Sequence, residues 1–496
     1  MDETAVARVI HYTVDVNRAR LTLPSPCRYT TPPADALVRL LKSDPNSAAP
    51  VPARHAAHPD VLVIGAGLAG LNAALILEAQ GARVSVLEAS ERIGGRILSL
   101  KTDRGPLDVG ASQVGGTYQR VLDATQRLGL QTFVPAGLPP SDFALHVNGT
   151  TLRRAEWRDS PANRTVGIER PVVPFALPGF FTGRDNPLDS ADAWLKPEHA
   201  ALDIPYDGFL LSKGASAEAL RLLAVTNHAP TLNEMSALNE LRKTYLLKRE
   251  LEAGVFFIRG GTGRLPEAMA AALATPVATG HRVTGIETHA QGVRVRCQGG
   301  ESFAARFAIS TLPYSVLRDV AFEPRLVGQQ ADVVASLPYS EASYVVFEVD
   351  APFWESDGLA PTMWTDSALE LVVAWPTEDG VTRHILSFIN GSAERSLRSL
   401  SPVRQLEFAT QELHRLRPAS VGKARAAHVY SWSADPHARG AYAFFGPGQV
   451  TAWHDHLARP FGPVHFAGEH TAVIHSGLEG AMESGERAAR EVLARL

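Results

Sequence analysis

Three glycines carry the first chemistry. In "VLVIGAGLAG", residues 61–70, Gly65, Gly67 and Gly70 form a G-x-G-x-x-G pattern. The apolar run "DVLVIG" precedes the pattern, and "LAGLNAALILEAQG" follows it at helical spacing. Glycines at a strand-to-helix turn let the backbone approach a pyrophosphate, whose charge suits the amides of a helix N-terminus. Glu88 closes the next strand, "ARVSVLEA", 18 residues beyond Gly70. A carboxylate there accepts hydrogen bonds from ribose hydroxyls and repels a 2′-phosphate. Strand, helix and terminal acid in register indicate a dinucleotide, with NAD and FAD both open at this point.

The elements that position these residues read as a discontinuous α/β arrangement. Residues 60–136 hold two buried-type strands around a helix that Gly81 closes. Residues 137–255 are rich in proline, then helical in "ASAEALRLLAV" and "EMSALNELRKTYLLKRELEA". Residues 256–336 return to α/β, with a helix at "LPEAMAAAL" and strands at "GVRVRC" and "RFAIST". Residues 337–425 hold strands at "SYVVFEV", "LELVVAW" and "RHILSFI", then the helix "VRQLEFATQELHRL". Residues 1–59, with eight prolines, read as an arm containing a strand at "VIHYTVDV" and a short helix at "ADALVRLLK".

Composition narrows the class. A chain of 496 residues suggests two or three domains. A net charge of −4 argues against a nucleic-acid partner. The two cysteines, Cys27 and Cys297, exclude a disulfide framework or a cysteine-rich metal site and suit a reducing cytoplasm. No metal is expected. No apolar run is long enough for a membrane span, so no membrane partner is expected either.

Beyond Glu88, the segment "EASERIGGRI" adds R-x-G-G-R through Arg92, Gly94, Gly95 and Arg96. The glycines allow close backbone approach, and Arg96 offers a planar fork to phosphate. With these residues the stretch 61–96 resembles the FAD-binding opening of the flavin-containing amine oxidases, a family that includes monoamine, polyamine and L-amino acid oxidases. The resemblance continues in order to residue 496. It runs through "DVGASQVGGTYQRVLDATQRLGLQT", "NEMSAL", "FIRGGTGRLPEAMAAAL", "HRVTGIE", "ISTLPYSVL", "YSWSADPHARGAYAFFGPG" and "VHFAGEHTAVIHSGLEGAMESGERAAREVL". It implies FAD in an α/β, Rossmann-like, GR2-type two-domain fold with a mixed α+β substrate domain, and the absence of the family's attachment cysteine at Ala441 makes non-covalent FAD the expectation. The FAD domain would combine 58–136, 256–336 and 426–496, and the substrate domain 137–255 and 337–425.

The resemblance also implies roles for single residues. Ala111 and Ser112 lie on the segment passing the flavin ring, and Val283 falls where the backbone meets adenine. Trp432 packs on the flavin. Tyr442 forms one wall of an aromatic cage that aligns an amine. Gly468 and Glu469 lie beside the ribityl and phosphate region. Gly477 and Leu478 open the last helix, where backbone amides can hold the reduced flavin's charge at N1 and O2. The small residues Gly480, Ala481, Ser484 and Gly485 equally suit close packing of that helix.

Four departures mark this chain. Ala441 stands where monoamine oxidases attach flavin through cysteine. Gly477 stands at their second cage tyrosine, and the loop "AVIHSG" has the length of the L-amino acid oxidase subgroup, with His475 at that subgroup's histidine. His475 is either a substrate ligand or base near neutral pH, or a histidine hydrogen-bonded in a turn. Ser112 and Gln113 stand where amino acid oxidases carry an arginine, so an amino acid substrate needs another cation. Arg120 is near in sequence but reads as part of a helix face. Tyr344 replaces a lysine linked to oxygen reactivity. The expected substrate is a small amine or amino acid, with oxygen (giving hydrogen peroxide) or another acceptor reoxidising the flavin, and a homodimer is possible on the same resemblance. An L-amino acid oxidase, a desaturase or porphyrinogen-type oxidase, and a flavoprotein with an inactive site are the alternatives.

Overall fold

The computed structural model describes residues 59–135, 142–375 and 377–496. The strand and helix read within the N-terminal arm lie outside the described residues.

Four parallel strands form the sheet beneath the glycine turn, in the order Val84–Leu87, Val61–Ile64, Phe307–Ser310, Val464–Phe466. Every residue in them is buried, which explains why their sequences are continuous apolar runs rather than alternating ones. The helix Leu68–Ala79 leaves the first strand, and Gly81 follows its C-cap at φ +83°. The C-terminal helix Gly477–Leu493 lies against it at backbone distance. A Cβ on Gly485 would stand 2.2 Å from the Ala69 carbonyl oxygen, and Asn72 Nδ2 donates to the Met482 carbonyl at 2.8 Å. The small residues of "EGAMESG" are therefore packing residues as well.

A second sheet has seven strands, in the order Ala424–Ser431, Ala342–Val349, His384–Asn390, Leu371–Ala374, Met363–Thr365, Ala144–Val147, Thr150–Arg153. Its pairs are antiparallel except the one joining Met363–Thr365 to Ala144–Val147. One face, with Val345, Phe347 and Ile385, packs on Ala409, Leu413 and Leu416 of the helix Pro402–Leu416. The other face, with Tyr344, Val346, Leu386 and Phe388, packs on Leu107, Val109 and Phe257 of the glycine-rich segments. Strand alternation thus sends Tyr344 toward the segments carrying Leu107, Val109 and Phe257.

Two features of this sheet differ from the sequence reading. Strand Ala424–Ser431 pairs along Ala342–Val349, so the boundary read at 426 divides a single strand. The hairpin of Ala144–Val147 with Thr150–Arg153 went unread. Its signal is Asn148-Gly149, whose φ values of +51° and +77° fit the two-residue turn that favours this dipeptide.

The helix Ala237–Ala253 links the two regions. Ser236 caps it, accepting from Asn239 N–H, and Ser236 N–H donates to the Phe445 carbonyl at 2.8 Å. That bond ties the helix start to the segment carrying Tyr442.

Candidate functional site

The glycine turn is shaped by backbone contacts that no side chain can enter. A Cβ on Gly70 would stand 2.0 Å from the Gly65 carbonyl oxygen, and one on Gly65 would stand 2.5 Å from Thr311 Oγ1. Gly67 is the N-cap of Leu68–Ala79, and no side chain caps this helix. Its first amides therefore suit an anion. Gly94 N–H donates to the Ala66 carbonyl at 2.9 Å, which brings the Gly94-Gly95 turn over the cradle. Glu88 is buried, and its carboxylate accepts from Ala66 N–H at 2.8 Å and Ser90 N–H at 3.0 Å. The glycine turn itself thus orients the acid. Glu88 also pairs through its backbone with Ala278 and His281, placing the segment that leads to Val283 beside it. These contacts fit the adenosine half of FAD: a bare helix N-terminus, a turn closed to side chains, and a fixed carboxylate.

Arg96 joins three motifs. Its Nη1 donates to Glu469 Oε1 at 2.7 Å and to the Ala441 carbonyl at 3.1 Å, and Ala443 N–H donates to the same Glu469 oxygen at 2.9 Å. The R-x-G-G-R turn, "AGEHTA" and the Tyr442 segment are therefore fastened at one guanidinium. Gly468 N–H donates to Ser484 Oγ at 2.9 Å, fixing the same turn to the last helix. Arg92 lies apart from Arg96. It donates to the Ile97 carbonyl, stands 3.6 Å from Asp435 and covers the Trp432 ring at 5.9 Å. Trp432 is buried and donates its Nε1–H to the Val109 carbonyl at 2.7 Å.

Asp108 was not singled out by the sequence, yet it organises the segment ahead of Ala111, Ser112 and Gln113. It accepts from Ser99 Oγ, from Thr262 N–H at 3.0 Å and from Thr262 Oγ1 at 3.1 Å. Burial raises its carboxyl above the ordinary range, while these bonds pull it down. Thr262 also donates to the Ser112 carbonyl at 3.1 Å. Ala111 N–H donates to the Arg96 carbonyl, and the Gln113 side chain is exposed.

The last helix starts at Gly477, with φ +55° and no side-chain cap. Leu478 is buried. Glu479, fully buried, accepts from Arg120 N–H, Val121 N–H and Arg120 Nη1, each at 3.1 Å. Arg120 Nε also donates to Glu486 at 2.6 Å, so its guanidinium clamps two helices. His475 does not stand free. Its Nδ1 lies 3.1 Å from Glu483, whose carboxylate also accepts the amides of Val473, Ile474 and His475. From inside, Arg242 Nη2 donates to the carbonyls of Ala472, Val473 and His475. Burial alone would raise Glu483, but His475 and the amides hold it down at about 2. The structure shows His475 in a hydrogen-bonded turn.

Tyr442 is exposed, with 38% of its surface accessible. Ser340 holds it in place, because Tyr442 N–H donates to Ser340 Oγ at 3.1 Å and Ser340 N–H donates to the Tyr442 carbonyl at 2.8 Å. Tyr344 packs edge-on against Phe388 at 4.8 Å. Burial drives its hydroxyl pKa up, with the nearby Tyr442 and Asp108 adding to the rise. The sequence reading also missed His228, Glu240 and Lys243. His228 packs at 5.5 Å from the Tyr442 ring, and Lys243 Nζ lies 5.7 Å from the ring centroid. Among the described residues, no group of three His, Cys, Asp or Glu could hold a metal ion, and no helix is long and apolar enough to cross a membrane.

The family described as flavin containing amine oxidoreductase matches residues 68–493. The chain belongs to this family. Human flavin-containing amine oxidase B is 28% identical over 460 residues, covering 88% of this chain and 86% of that one. A putative L-amino-acid oxidase of Bacillus subtilis is 28% identical over 465 residues, covering 88% and 95%. Two solved structures share the fold. Putrescine oxidase aligns with a TM-score of 0.74 at 23% identity, and cyclohexylamine oxidase from Brevibacterium oxydans with 0.72 at 24%. Each covers 88% of this chain and 99% of the other. The protein is an FAD-dependent amine oxidoreductase, a helix-and-sheet flavoprotein acting on a small-molecule amine.

Proposed function

We propose that this protein removes a hydride from a carbon bearing a neutral amine. When bound, FAD would supply the hydride acceptor, and water would hydrolyse the substrate's imine to a carbonyl compound and ammonia or a smaller amine. In this reading the cofactor region combines 58–136, 256–336 and the C-terminal segment, with strand Ala424–Ser431 joined to the substrate region. The Gly67 helix and Arg96 would hold the pyrophosphate, Glu88 the ribose, and the amides of the Gly477 helix the flavin ring. Ala441 offers no thiol, and Cys297 is buried at the end of strand Gly292–Cys297, which supports non-covalent binding. Tyr442 aligns the amine, and an aromatic wall favours its neutral form by desolvating the cation. His475 acts by positioning the loop ahead of the last helix. Tyr344 stands where the family's lysine does, so either oxygen or another acceptor reoxidises the flavin. The cytoplasmic and homodimeric readings rest on the sequence and the resemblance.

The observation that carries this reading is the Arg96 junction, which fastens exposed Tyr442 to the cradle built by Gly65, Gly67, Gly70 and Glu88. The test is denaturation of the purified protein followed by identification of the released flavin, then anaerobic addition of amines. Released FAD, bleaching of the flavin band and a carbonyl product are expected. A flavin that no amine or amino acid bleaches would overturn the proposal.

A further inference from the structure

One cluster of ionisable side chains stands outside the roles assigned above. On the helix Ala237–Ala253, Glu240 and Lys243 are one turn apart on the same face, with Lys243 Nζ 3.3 Å from Glu240 Oε2. Lys243 Nζ also lies 3.1 Å from His228 Nδ1. Glu240 Oε1 stands 3.5 Å from His228 Nε2 and accepts from Asn239 Nδ2 at 3.2 Å. His228 in turn packs against Tyr442 and, edge-on at 5.2 Å, against Phe444.

The donor and acceptor roles follow from the neighbours. An ammonium only donates, so His228 Nδ1 is an acceptor and the ring is neutral. Its remaining N–H is on Nε2, facing Glu240. Burial, with the Lys243 charge added, pushes His228 well below the ordinary histidine range, in keeping with that assignment. Glu240 has its carboxylate committed to Asn239, Lys243 and His228, and its side chain is 13% exposed. The Lys243 side chain is 37% exposed, and one of its three donors has no partner among the described residues. The accessible charge beside Tyr442 is therefore positive.

Position gives that charge a meaning. An ammonium 5.7 Å from the centroid of the Tyr442 ring repels an alkylammonium group brought to the same wall and attracts a carboxylate. Arg120 cannot do this, because Glu479 and Glu486 hold it between two helices. Arg242 faces Trp194 and the carbonyls of the 472–475 loop. We infer that Lys243, held by His228 and Glu240, binds a carboxylate carried by the substrate, so that the amine oxidised is an amino acid. This rests on the amine-oxidising reading of the same site. It assigns the cation that an amino acid substrate requires and that the segment around Ser112 and Gln113 does not supply.

The experiment compares the FAD-loaded wild type with Lys243→Met and Lys243→Arg, using L-phenylalanine against phenethylamine and L-leucine against isoamylamine. Flavin content and melting temperature establish that the variants are folded and loaded. K243M is expected to raise the concentration of amino acid needed for half-maximal anaerobic bleaching by about tenfold or more, with the limiting rate changed little. The decarboxylated amines should bleach K243M at the same or lower concentration than the wild type, and K243R should recover most of the amino acid affinity. A readout without turnover is the flavin spectral shift on adding benzoate, which should require about tenfold more benzoate in K243M. Equal shifts for amino acid and amine, or no shift for either, would overturn the assignment while leaving amine oxidation intact. If no donor bleaches the wild type, the functional reading fails first. An unchanged benzoate response in K243M would then overturn the carboxylate site independently.

Discussion

The cofactor cradle and the substrate wall are built in opposite ways. The cradle is mostly backbone: Gly65 and Gly70 leave no room for a Cβ, Gly67 leaves the helix amides bare, and its one acid, Glu88, is fixed by the amides of Ala66 in the glycine turn and of Ser90 beyond the second strand. The wall is side chain: Tyr442, His228, Lys243 and Glu240 come from three separate stretches and meet through an ammonium, an imidazole, a carboxylate and a phenol ring. Gly65 and Gly70 therefore leave no room for a side chain, whereas the Tyr442 cluster is held by side chains that substitution can exchange. On the proposed reading, selectivity sits where the Lys243 charge meets the Tyr442 ring.

The largest effect should come from Gly70→Ala. Its Cβ meets a backbone oxygen at 2.0 Å, which cannot move aside as a flexible side chain can. We expect loss of bound flavin and a stability cost of about 3 kcal/mol, read from the flavin-to-protein absorbance ratio and a urea melt. A variant that keeps its flavin would show that the cradle is not closed to side chains.

Glu483 tests the joint between the two regions. Its carboxyl is held at about 2, below the ordinary 4.5. A depressed acid stabilises the fold fully above the unfolded value and loses that contribution as pH falls toward the folded one. The wild type should therefore exceed Glu483→Gln by about 3 kcal/mol above pH ~5, with the difference shrinking as pH falls toward about 2. Melting temperatures of both proteins across that range provide the check, and a constant difference would contradict it. Lys243→Met sharpens the contrast from the other side, with altered selectivity and little change in melting.

The smallest effect is expected on the inner face of the seven-stranded sheet. Tyr344 contacts Phe388 through its ring, and Tyr344→Phe keeps that contact. Anaerobic bleaching should slow by less than about fivefold, the worth of one ordinary hydrogen bond. A larger loss would place the hydroxyl in the chemistry.

This contrast also explains what the sequence could convey. Gly65, Gly67, Gly70 and Glu88 were legible because the strand, turn and helix that give them meaning are neighbours in the chain. Tyr442 was legible through the motif around it. The hairpin at Asn148-Gly149 left a readable signal, a two-residue turn between short strands, within a stretch dominated by proline. His228 and Lys243 left none. They are 15 residues apart, His228 in a loop and Lys243 on the helix Ala237–Ala253, and they meet only where the Ser236–Phe445 bond ties that helix to the Tyr442 segment. Arg120 shows the converse: it is near the flavin segment in sequence but reads as part of a helix face, and the structure places it on the helix Gln119–Arg127, paired with Glu479 and Glu486 of the last helix.

The most direct test of the central claim is one anaerobic absorption titration of the wild-type protein with L-phenylalanine and, separately, phenethylamine. The account predicts that both bleach the flavin band and that the amino acid does so at lower concentration. Bleaching by the amine alone would contradict the positive wall, and bleaching by neither would contradict amine oxidation itself.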